Sequence, residues 1–432
     1  MSTVVVVGGG VAGLVCAIEL HRAGRAVLVV EREAAVGGRV RSTHQDGLTL
    51  DHGFQVLFTA YPTLNRYLDH ASLALRPFRP AAHIVREGRA ALIGDALADP
   101  SLFWPTLRAG LIPLADTLRL AALRHFARGL SIEACFSAPY DGQSTRAFLE
   151  ARGFSRATID GFFAPFYGGI LLDRSLTTSA SVLLFTFRML AEGRTAVPTA
   201  GMGAITAQLA AQLPAGTVRT GVGVHQLRVT DGRVTGVTLS DGSVVEATDV
   251  VLATDAAATV ALAATAGVTL PAAPKGLGCT TLYFTTTGRS PIPGRALWLN
   301  ANAGAVVSHA VTLTDVAPAY APAGTQLIAA TVVGSAAEQD DATLEMAARR
   351  ELQEMAAAGG VQGAATGSDL QHVATWRIPF SQFVQPPGSM AQRPGASCGL
   401  PGLWRAGEQL HSSSLEGAAR GGQQAARAIL GA

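Results

Sequence analysis

The sequence predicts an α/β protein in which a Rossmann-like parallel sheet with a β-meander is interleaved with a second domain of mixed sheet plus helices. Three observations predict this fold. A valine run, a glycine-rich turn and an apolar helix pattern occupy residues 4–20. Two Asp-Gly pairs separate strand-like runs within residues 218–247. Finally, a short strand ending in glycine and a carboxylate precedes the last helix, within residues 403–430.

The first element is a strand, a tight turn and a helix, followed by a second strand that ends at Glu31. Gly8 permits the tight turn, Gly10 lets a pyrophosphate approach the backbone, and Gly13 lets the helix pack closely on the sheet. The N–H groups at the start of the helix and the positive end of its dipole attract phosphates. Glu31 is placed to accept hydrogen bonds from an adenosine ribose. This pattern predicts a dinucleotide-binding site.

A second glycine pair, Gly37 and Gly38, follows Glu31 and is itself followed by Arg39. A nicotinamide dehydrogenase has no need of such a run. The run resembles the flavin amine oxidase and phytoene desaturase superfamily of FAD enzymes, in which Gly-Gly-Arg continues the cradle around the cofactor. The resemblance implies that FAD is the cofactor and that Arg39 touches its pyrophosphate or the flavin edge. The alternative for Arg39 is a solvated side chain on a surface loop.

Residues 101–130 predict a helical stretch with two interpretations. Arginines lie among leucines that recur at helical spacing, namely Leu107, Leu111, Leu114 and Leu118. Ordinary core packing is one interpretation, and an amphipathic surface bordering a membrane or an apolar substrate is the other. An aromatic turn at residues 161–169 follows, and its side chains could line a substrate pocket or fill the core between helices.

Residues 217–254 predict a β-meander and then a buried parallel strand. The meander strands are expected at residues 218–229, 233–240 and 243–247, and the parallel strand at 250–253. In the resembled superfamily a valine of this segment packs on the adenine, and Val224 is the matching position.

The second domain is predicted to hold strands at residues 281–287, 305–314 and 326–333. A helix is expected at residues 342–358, with Asp341 as its cap. The sequence contains no internal repeat or low-complexity linker, so the two domains are predicted to interleave. The predicted FAD-binding domain comprises residues 1–75, 195–270 and 395–432, and the substrate-binding domain comprises residues 76–194 and 271–394.

The C-terminal element complements the first one. Gly407 and Glu408 end a short strand, and Ser413 with Glu416 match a capping-box pattern before the last helix. In the resembled superfamily the strand-Gly-acid element holds the ribityl chain and pyrophosphate, and the last helix points its N-terminus at the flavin. The full predicted cofactor set is Gly8, Gly10, Val11, Ala12, Gly13, Glu31, Arg32, Gly38, Arg39, Val224, Gly407, Glu408, Leu415, Gly417 and Ala418.

The sequence leaves the catalytic residues unassigned. It contains no defensible Ser-His-Asp set or carboxylate pair, and flavin chemistry needs neither, because the cofactor accepts the hydride. Candidates to face the flavin are His52, Trp376, Arg377 and Phe380, although a hydrogen-bonded structural histidine is the simpler interpretation of His52. No second nucleotide fingerprint is found, which favours oxygen, a quinone or a partner protein over NAD(P) as the electron acceptor.

Composition narrows the class of protein. A formal net charge of +2 gives no electrostatic case for nucleic-acid binding. The four cysteines are scattered, so no metal site is predicted, and they suit a reducing cytoplasm. No signal peptide or transmembrane segment is predicted. The expected ligand is a small-molecule substrate that is large for its class and apolar, with peripheral membrane contact and the oligomeric state left open.

Three function classes are compatible with this pattern. The favoured one is an FAD-dependent oxidoreductase that dehydrogenates a C–C or C–N bond of an apolar substrate. The second is a redox-neutral isomerase of the same fold. The third is a non-enzymatic binding protein resembling the GDP dissociation inhibitors, which the intact glycines and carboxylates at both chain ends disfavour.

Overall fold

A parallel sheet forms the first layer, as the N-terminal valine run predicts. The computed structural model describes residues 3–431. Val4–Val6 are fully buried between the layers that cover this sheet. Its five strands, in spatial order, are β10 (Val218–Arg219), β2 (Ala26–Val30), β1 (Thr3–Val7), β14 (Asp249–Leu252) and β20 (Leu403–Arg405), all parallel. The sheet therefore joins three distant segments of the chain.

Two helices from opposite ends of the chain pack against each other beside this sheet: α1 (Val11–Arg22) and α14 (Leu415–Leu430). Glycines permit the close approach, because a Cβ on Gly422 would overlap the carbonyl oxygen of Ala12. The helix α10 (Gly203–Ala210) packs against α1 as well, and α11 (Ala256–Ala264) follows β14. The first and last elements of the sequence thus form one unit.

The predicted β-meander is confirmed as three antiparallel strands, β11 (Val224–Thr230), β12 (Arg233–Leu239) and β13 (Val244–Glu246). Both Asp-Gly turns contain a glycine with positive φ, at Gly232 and Gly242. The single strand predicted over residues 218–229 is wrong. The chain turns at Gly221, where φ is 75°, so that β10 joins the parallel sheet and β11 joins the meander.

A seven-stranded mixed sheet forms the second domain, as predicted. Its strands, in spatial order, are β19 (Gln371–Phe383), β15 (Gly276–Thr286), β18 (Gln326–Val333), β17 (Val307–Thr312), β16 (Leu297–Asn300), β7 (Ala81–Arg86) and β8 (Arg89–Gly94). The helix α13 (Asp341–Ala358) buries Leu344, Leu352 and Met355 against it. The predicted cap was one residue late: the Asp340 side chain accepts the Thr343 N–H, and Asp341 is already helical.

The remaining helices pack mainly on α9 (Ala180–Glu192) and on the mixed sheet. They are α2 (Phe103–Ala109), α3 (Leu114–Gly129), α4 (Ile132–Cys135), α5 (Ala138–Asp141), α6 (Thr145–Ala151), α7 (Arg156–Thr158), α8 (Ala164–Ile170) and α12 (Leu313–Val316). Two small sheets complete the fold: β3 (Ser42–Gln45) with β4 (Leu48–Asp51), and β5 (Leu57–Phe58) with β9 (Thr195–Val197) and β6 (Arg76–Pro77).

Two local predictions in this helical region need correction. The stretch 101–130 is two helices, because Gly110 has a left-handed φ of 64° and Pro113 starts the next helix. Core packing is wrong for Leu107, Leu114 and Leu118, which are more than half exposed, whereas Leu111 packs partly buried against a core cluster. The predicted aromatic turn is helical, a π-helical turn over Ile159–Phe163 that continues directly into α8. Over residues 3–431, no helix is both long and apolar enough to cross a membrane.

Candidate FAD site and active-site cavity

The glycine turn after β1 has one closed side and one open side. A Cβ on Gly13 would overlap the carbonyl oxygen of Gly8, so Gly13 permits close packing of α1 on the strand, and Gly8 has a φ of 111°. A Cβ on Gly10, in contrast, would meet no protein atom within 4 Å. No side chain caps α1, which leaves its first N–H groups directed at this open space. The turn thus offers an anion site with room for a ligand.

The Glu31 carboxylate at the end of β2 fixes the same turn. Its Oε2 accepts the Gly9 N–H at 2.7 Å and its Oε1 accepts the Glu33 N–H at 2.9 Å. The neighbouring Arg32 is largely exposed and forms a surface ion pair with Glu33. Glu31 therefore organises the backbone of this turn, and a contact of its carboxylate with a ribose stays a prediction.

Arg39 links the second glycine pair to the C-terminal element. Its Nη1 lies 2.7 Å from Oε1 of the buried Glu408 and donates to the Ser381 carbonyl at 3.0 Å. The other carboxylate oxygen of Glu408 accepts a hydrogen bond from the Ser413 hydroxyl at 3.0 Å. Arg39 lies in a turn and its side chain is 39% exposed, as the loop alternative expects, but its guanidinium is ion-paired and not simply solvated. One ion pair joins residues that are far apart in sequence and brings both predicted cofactor elements together.

The start of α14 differs from its predicted form. Ser414, and not Ser413, is the cap: its hydroxyl accepts the Gly417 N–H at 2.9 Å. Glu416 does not complete a capping box, because its buried carboxylate accepts the N–H groups of Thr63 and Leu64. A Cβ on Gly417 would overlap the Ser412 carbonyl oxygen, so this glycine permits close packing behind the site.

A continuous cavity of about 1330 Å³ connects these elements. Most of the predicted cofactor set lines it: Gly8, Gly10, Val11, Ala12, Glu31, Arg32, Gly38, Arg39, Val224, Gly407, Glu408, Leu415 and Ala418. We call this part the cofactor region. The two predicted residues outside the lining are Gly13 and Gly417, which form the close backbone contacts described above. The ligand that each residue contacts stays a prediction.

The same cavity extends into the second domain. Its inner region is lined mainly by aromatic and aliphatic side chains, including Phe54, Phe162, Phe166, Tyr167, Phe185 and Leu299. The aromatic segment at residues 161–169 both fills the core and lines the pocket. Phe163 is fully buried in the core, whereas Phe162 and Phe166 line the cavity. Such a lining suits an apolar ligand.

The catalytic candidates meet at the edge of this cavity. The His52 ring stacks on Trp376 with 3.9 Å between centroids, and its Nε2 lies 2.9 Å from the Thr43 hydroxyl. Burial, together with the charge of Arg41, lowers the pKa of His52. An uncharged, stacked and hydrogen-bonded imidazole fits the structural interpretation. A catalytic role for His52 stays a hypothesis.

The other candidates lie on β19. Arg377 lines the cavity, but its guanidinium is held by the carboxylate of Asp341 and by the carbonyls of Ala337 and Gln339. Trp376 contacts His52 and is not among the lining residues. The centroid of the Phe380 ring lies 5.8 Å from the Arg39 guanidinium, and Phe380 lines the cavity. Direct participation of these residues in catalysis also stays a prediction.

Sequence reasoning assigned no role to the side chain of Asp51, which joins the two domains. Its Oδ1 accepts the Ser42 hydroxyl at 2.5 Å and the Met202 N–H at 2.8 Å, and its Oδ2 accepts the Tyr320 hydroxyl at 3.1 Å. Its backbone carbonyl accepts the Tyr283 hydroxyl at 2.9 Å. Asp51 immediately precedes His52, so this network positions the segment that borders the cavity. Only the adjacency to His52 was visible in the sequence.

The match to a known family decides the class of protein. Residues 11–430 match the model of the flavin-containing amine oxidoreductases, which is nearly the whole chain. The chain belongs to this family. It is therefore an enzyme, an FAD-dependent oxidoreductase, as the paired elements at its two ends predict. The open face at Gly10, the fixed carboxylate of Glu31 and the N-terminus of α14 fit such a cofactor.

Two curated relatives share short segments with the chain. Protoporphyrinogen oxidase 2 of Arabidopsis thaliana is 38% identical over 89 residues, which are 20% of this chain and 18% of that protein. Phytoene dehydrogenase of Streptomyces griseus is 52% identical over 54 residues, or 12% of this chain and 11% of that protein. The matched segments thus span less than a fifth of either relative.

Solved structures match over their full length. A putative protoporphyrinogen oxidase from Exiguobacterium sp. 255-15 has a TM-score of 0.75 at 17% identity and covers 99% of this chain and 98% of its own. A putrescine oxidase has a TM-score of 0.69 at 16% identity, covering 100% and 99%. UDP-galactopyranose mutase gives 0.67 at 14%, covering 100% and 96%. At these identities the likeness establishes the fold.

Proposed function

We propose that the enzyme dehydrogenates a C–C or C–N bond of a large, apolar small-molecule substrate that occupies the inner region of the cavity. Acceptance of the hydride is the chemistry that bound FAD supplies. The residues of the inner region exclude water and orient the substrate, since they are mainly aromatic and aliphatic. This lining, continuous with the cofactor region, is the observation that carries the proposal.

The outer end of the cavity supports a substrate that arrives from an apolar phase. Phe103, Leu107 and Leu114 line the cavity and are also 52%, 56% and 71% exposed. Trp104 and Leu118 are exposed on the same two helices. We call these five side chains the apolar mouth. Burying apolar surface stabilises contact by about 25 cal/mol per Å², and we propose that the apolar mouth contacts a membrane surface peripherally.

The names of the curated relatives agree with a bulky substrate, since they specify oxidation of protoporphyrinogen and dehydrogenation of phytoene. A redox-neutral reaction is the alternative, because UDP-galactopyranose mutase has the same fold. Product formation without consumption of an electron acceptor would distinguish this alternative. A cytoplasmic location stays part of the proposal, based on the cysteine content alone, and the oligomeric state is left open.

Anaerobic flavin reduction tests the proposal. We expect carotenoid precursors, presented in liposomes, to bleach the flavin absorbance of the purified enzyme, and simple amines to bleach it slowly or not at all. The enzyme should also co-sediment with the liposomes. Rapid reduction by a small amine, together with no liposome binding, would contradict the proposal and assign the apolar helices to a different role.

Matched surface variants test whether liposome binding requires the apolar mouth or can use any exposed apolar side chain. Serine at Phe103, Trp104 and Leu107 should reduce liposome co-sedimentation at least about fivefold, because most of the exposed aromatic surface is lost. Serine at Val229 and Val244, exposed on the meander by 40% and 45%, should leave it unchanged. Equal loss in both variants would show that no specific face binds the membrane.

A further inference from the structure

A buried histidine lies in the wall of the inner region. His309 lies on β17, in register with Leu299 of β16 and Thr331 of β18, and all three residues line the cavity. The residue is only 5% exposed. Neither of its ring nitrogens has a hydrogen-bond partner among the described residues. A buried donor and acceptor without partners cost free energy, so an imidazole at this position needs an explanation.

The His309 ring lies in the wall of the cavity, and each of its nitrogens exposes less than 1 Å² of surface. Phe54, which also lines the cavity, presents its ring edge-to-face to the imidazole with 5.1 Å between centroids. A Cβ on Gly169 would lie 3.2 Å from Nδ1, so the glycine keeps that side of the ring clear. A side chain at position 169 would therefore press on the imidazole, which gives this glycine a physical reason.

The imidazole is uncharged at neutral pH. Burial, and to a lesser extent the charge of Arg174, lowers its pKa to about 4. A neutral imidazole presents one N–H donor and one nitrogen acceptor. These groups match a ligand oxygen that is itself uncharged: a hydroxyl can use both modes, and a carbonyl accepts from the N–H. A cationic amine could donate only to the acceptor nitrogen, and the positive charge of the neighbouring Arg174 disfavours it.

We propose that His309 hydrogen-bonds an uncharged oxygen substituent, a hydroxyl or a carbonyl, on an otherwise apolar substrate. His309 is then a specificity residue that fixes how deeply the substrate enters the inner region. This inference rests on the proposed function, because it assumes that the inner region holds an apolar substrate body. Within that substrate class, it favours compounds with a neutral oxygen function over pure hydrocarbons.

Binding of a matched ligand series to the FAD-loaded enzyme tests the proposal. The probes are dodecane, 1-dodecanol and 2-dodecanone in the same detergent, measured by calorimetry. We expect the alcohol and the ketone to bind the unmodified enzyme about tenfold more tightly than dodecane does, the effect of one hydrogen bond to a buried group. In His309→Phe this preference should disappear, while dodecane binds as before.

A control on the same sheet makes the outcome specific. His83 on β7 stacks on Trp298 and does not line the cavity, so His83→Phe should keep the tenfold preference. His309→Phe should also melt no lower than the unmodified enzyme, because it removes two buried nitrogens without partners. A lower melting temperature would indicate a structural imidazole and contradict the proposal.

The outcomes distinguish this inference from the proposed function. If dodecane binds and the preference for oxygenated probes is the same in His309→Phe, the role of His309 is wrong and the apolar cavity stands. If none of the three probes binds the unmodified enzyme, the apolar-substrate proposal is wrong, and the proposed role of His309 is wrong as well.

Discussion

Gly10→Val should lower the affinity for FAD by at least about 100-fold while the chain still folds. Gly10 has a φ of −77° and a ψ of 179°, which valine adopts without strain. Its Cβ would meet no protein atom within 4 Å, so the added methyl groups would enter the cofactor region and not the core. Charge-assisted hydrogen bonds contribute about 1.5–3 kcal/mol each. Displacing a phosphate from two such N–H groups accounts for the expected loss.

Titration of the apo-protein with FAD measures this effect, with circular dichroism as the check on folding. Gly129→Val is the matched control, because Gly129 ends α3 far from the cofactor region and also has no atom within 4 Å of its Cβ position. The control should bind FAD normally. If Gly10→Val took up FAD with unchanged affinity, the open face of the turn would not be the phosphate site.

Asp51→Ala should lower the free energy of unfolding by about 3–5 kcal/mol, because it leaves several buried donors without an acceptor. The side chain of Asp51 is buried and accepts hydrogen bonds from Ser42, Met202 and Tyr320. Tyr320 belongs to the second domain, so the loss should also loosen the contact between the domains. The shift in the midpoint of urea unfolding measures it.

Asp51→Asn is the discriminating variant. The asparagine oxygen can still accept from Ser42 and Met202, and its amide can donate to the Tyr320 hydroxyl oxygen, which reverses one hydrogen bond without breaking it. We expect a loss of about 1 kcal/mol. A loss in Asp51→Ala no larger than the loss in Asp51→Asn would show that the network contributes little to stability.

The fold was largely predictable because its strongest signals are local. The fully buried valines of β1, the glycines of the first turn and the Asp-Gly pairs of the meander each specify geometry within a few residues. The predictions that needed correction concern side chains whose partners lie far away in sequence. Glu416 matched a capping box locally, yet its carboxylate binds the backbone near Thr63, more than 300 residues away in sequence.

The site was predictable where a motif constrains the backbone, and not where a side chain acts alone. Gly8, Glu31 and Glu408 lie in recognisable patterns, and all three line the cavity. His309 belongs to no motif, and the Asp-His-Gly run that contains Asp51 does not indicate what its side chain binds. The importance of both residues depends on partners contributed by other strands and helices. A single buried histidine in a strand has no sequence signature that separates it from an ordinary core position.

The central claim is that both ends of the chain build one FAD site that holds the cofactor without a covalent bond. Of the four cysteines, all buried, Cys279 is the one that lines the cavity. Burial raises the pKa of its thiol, which disfavours the reactive thiolate.

The absorption spectrum of the purified protein, taken before and after mild denaturation and filtration, tests this claim most directly. The account predicts a yellow protein with one FAD per chain, all of which passes into the filtrate. Flavin retained on the denatured chain, or a colourless protein that takes up no FAD on reconstitution, would contradict it.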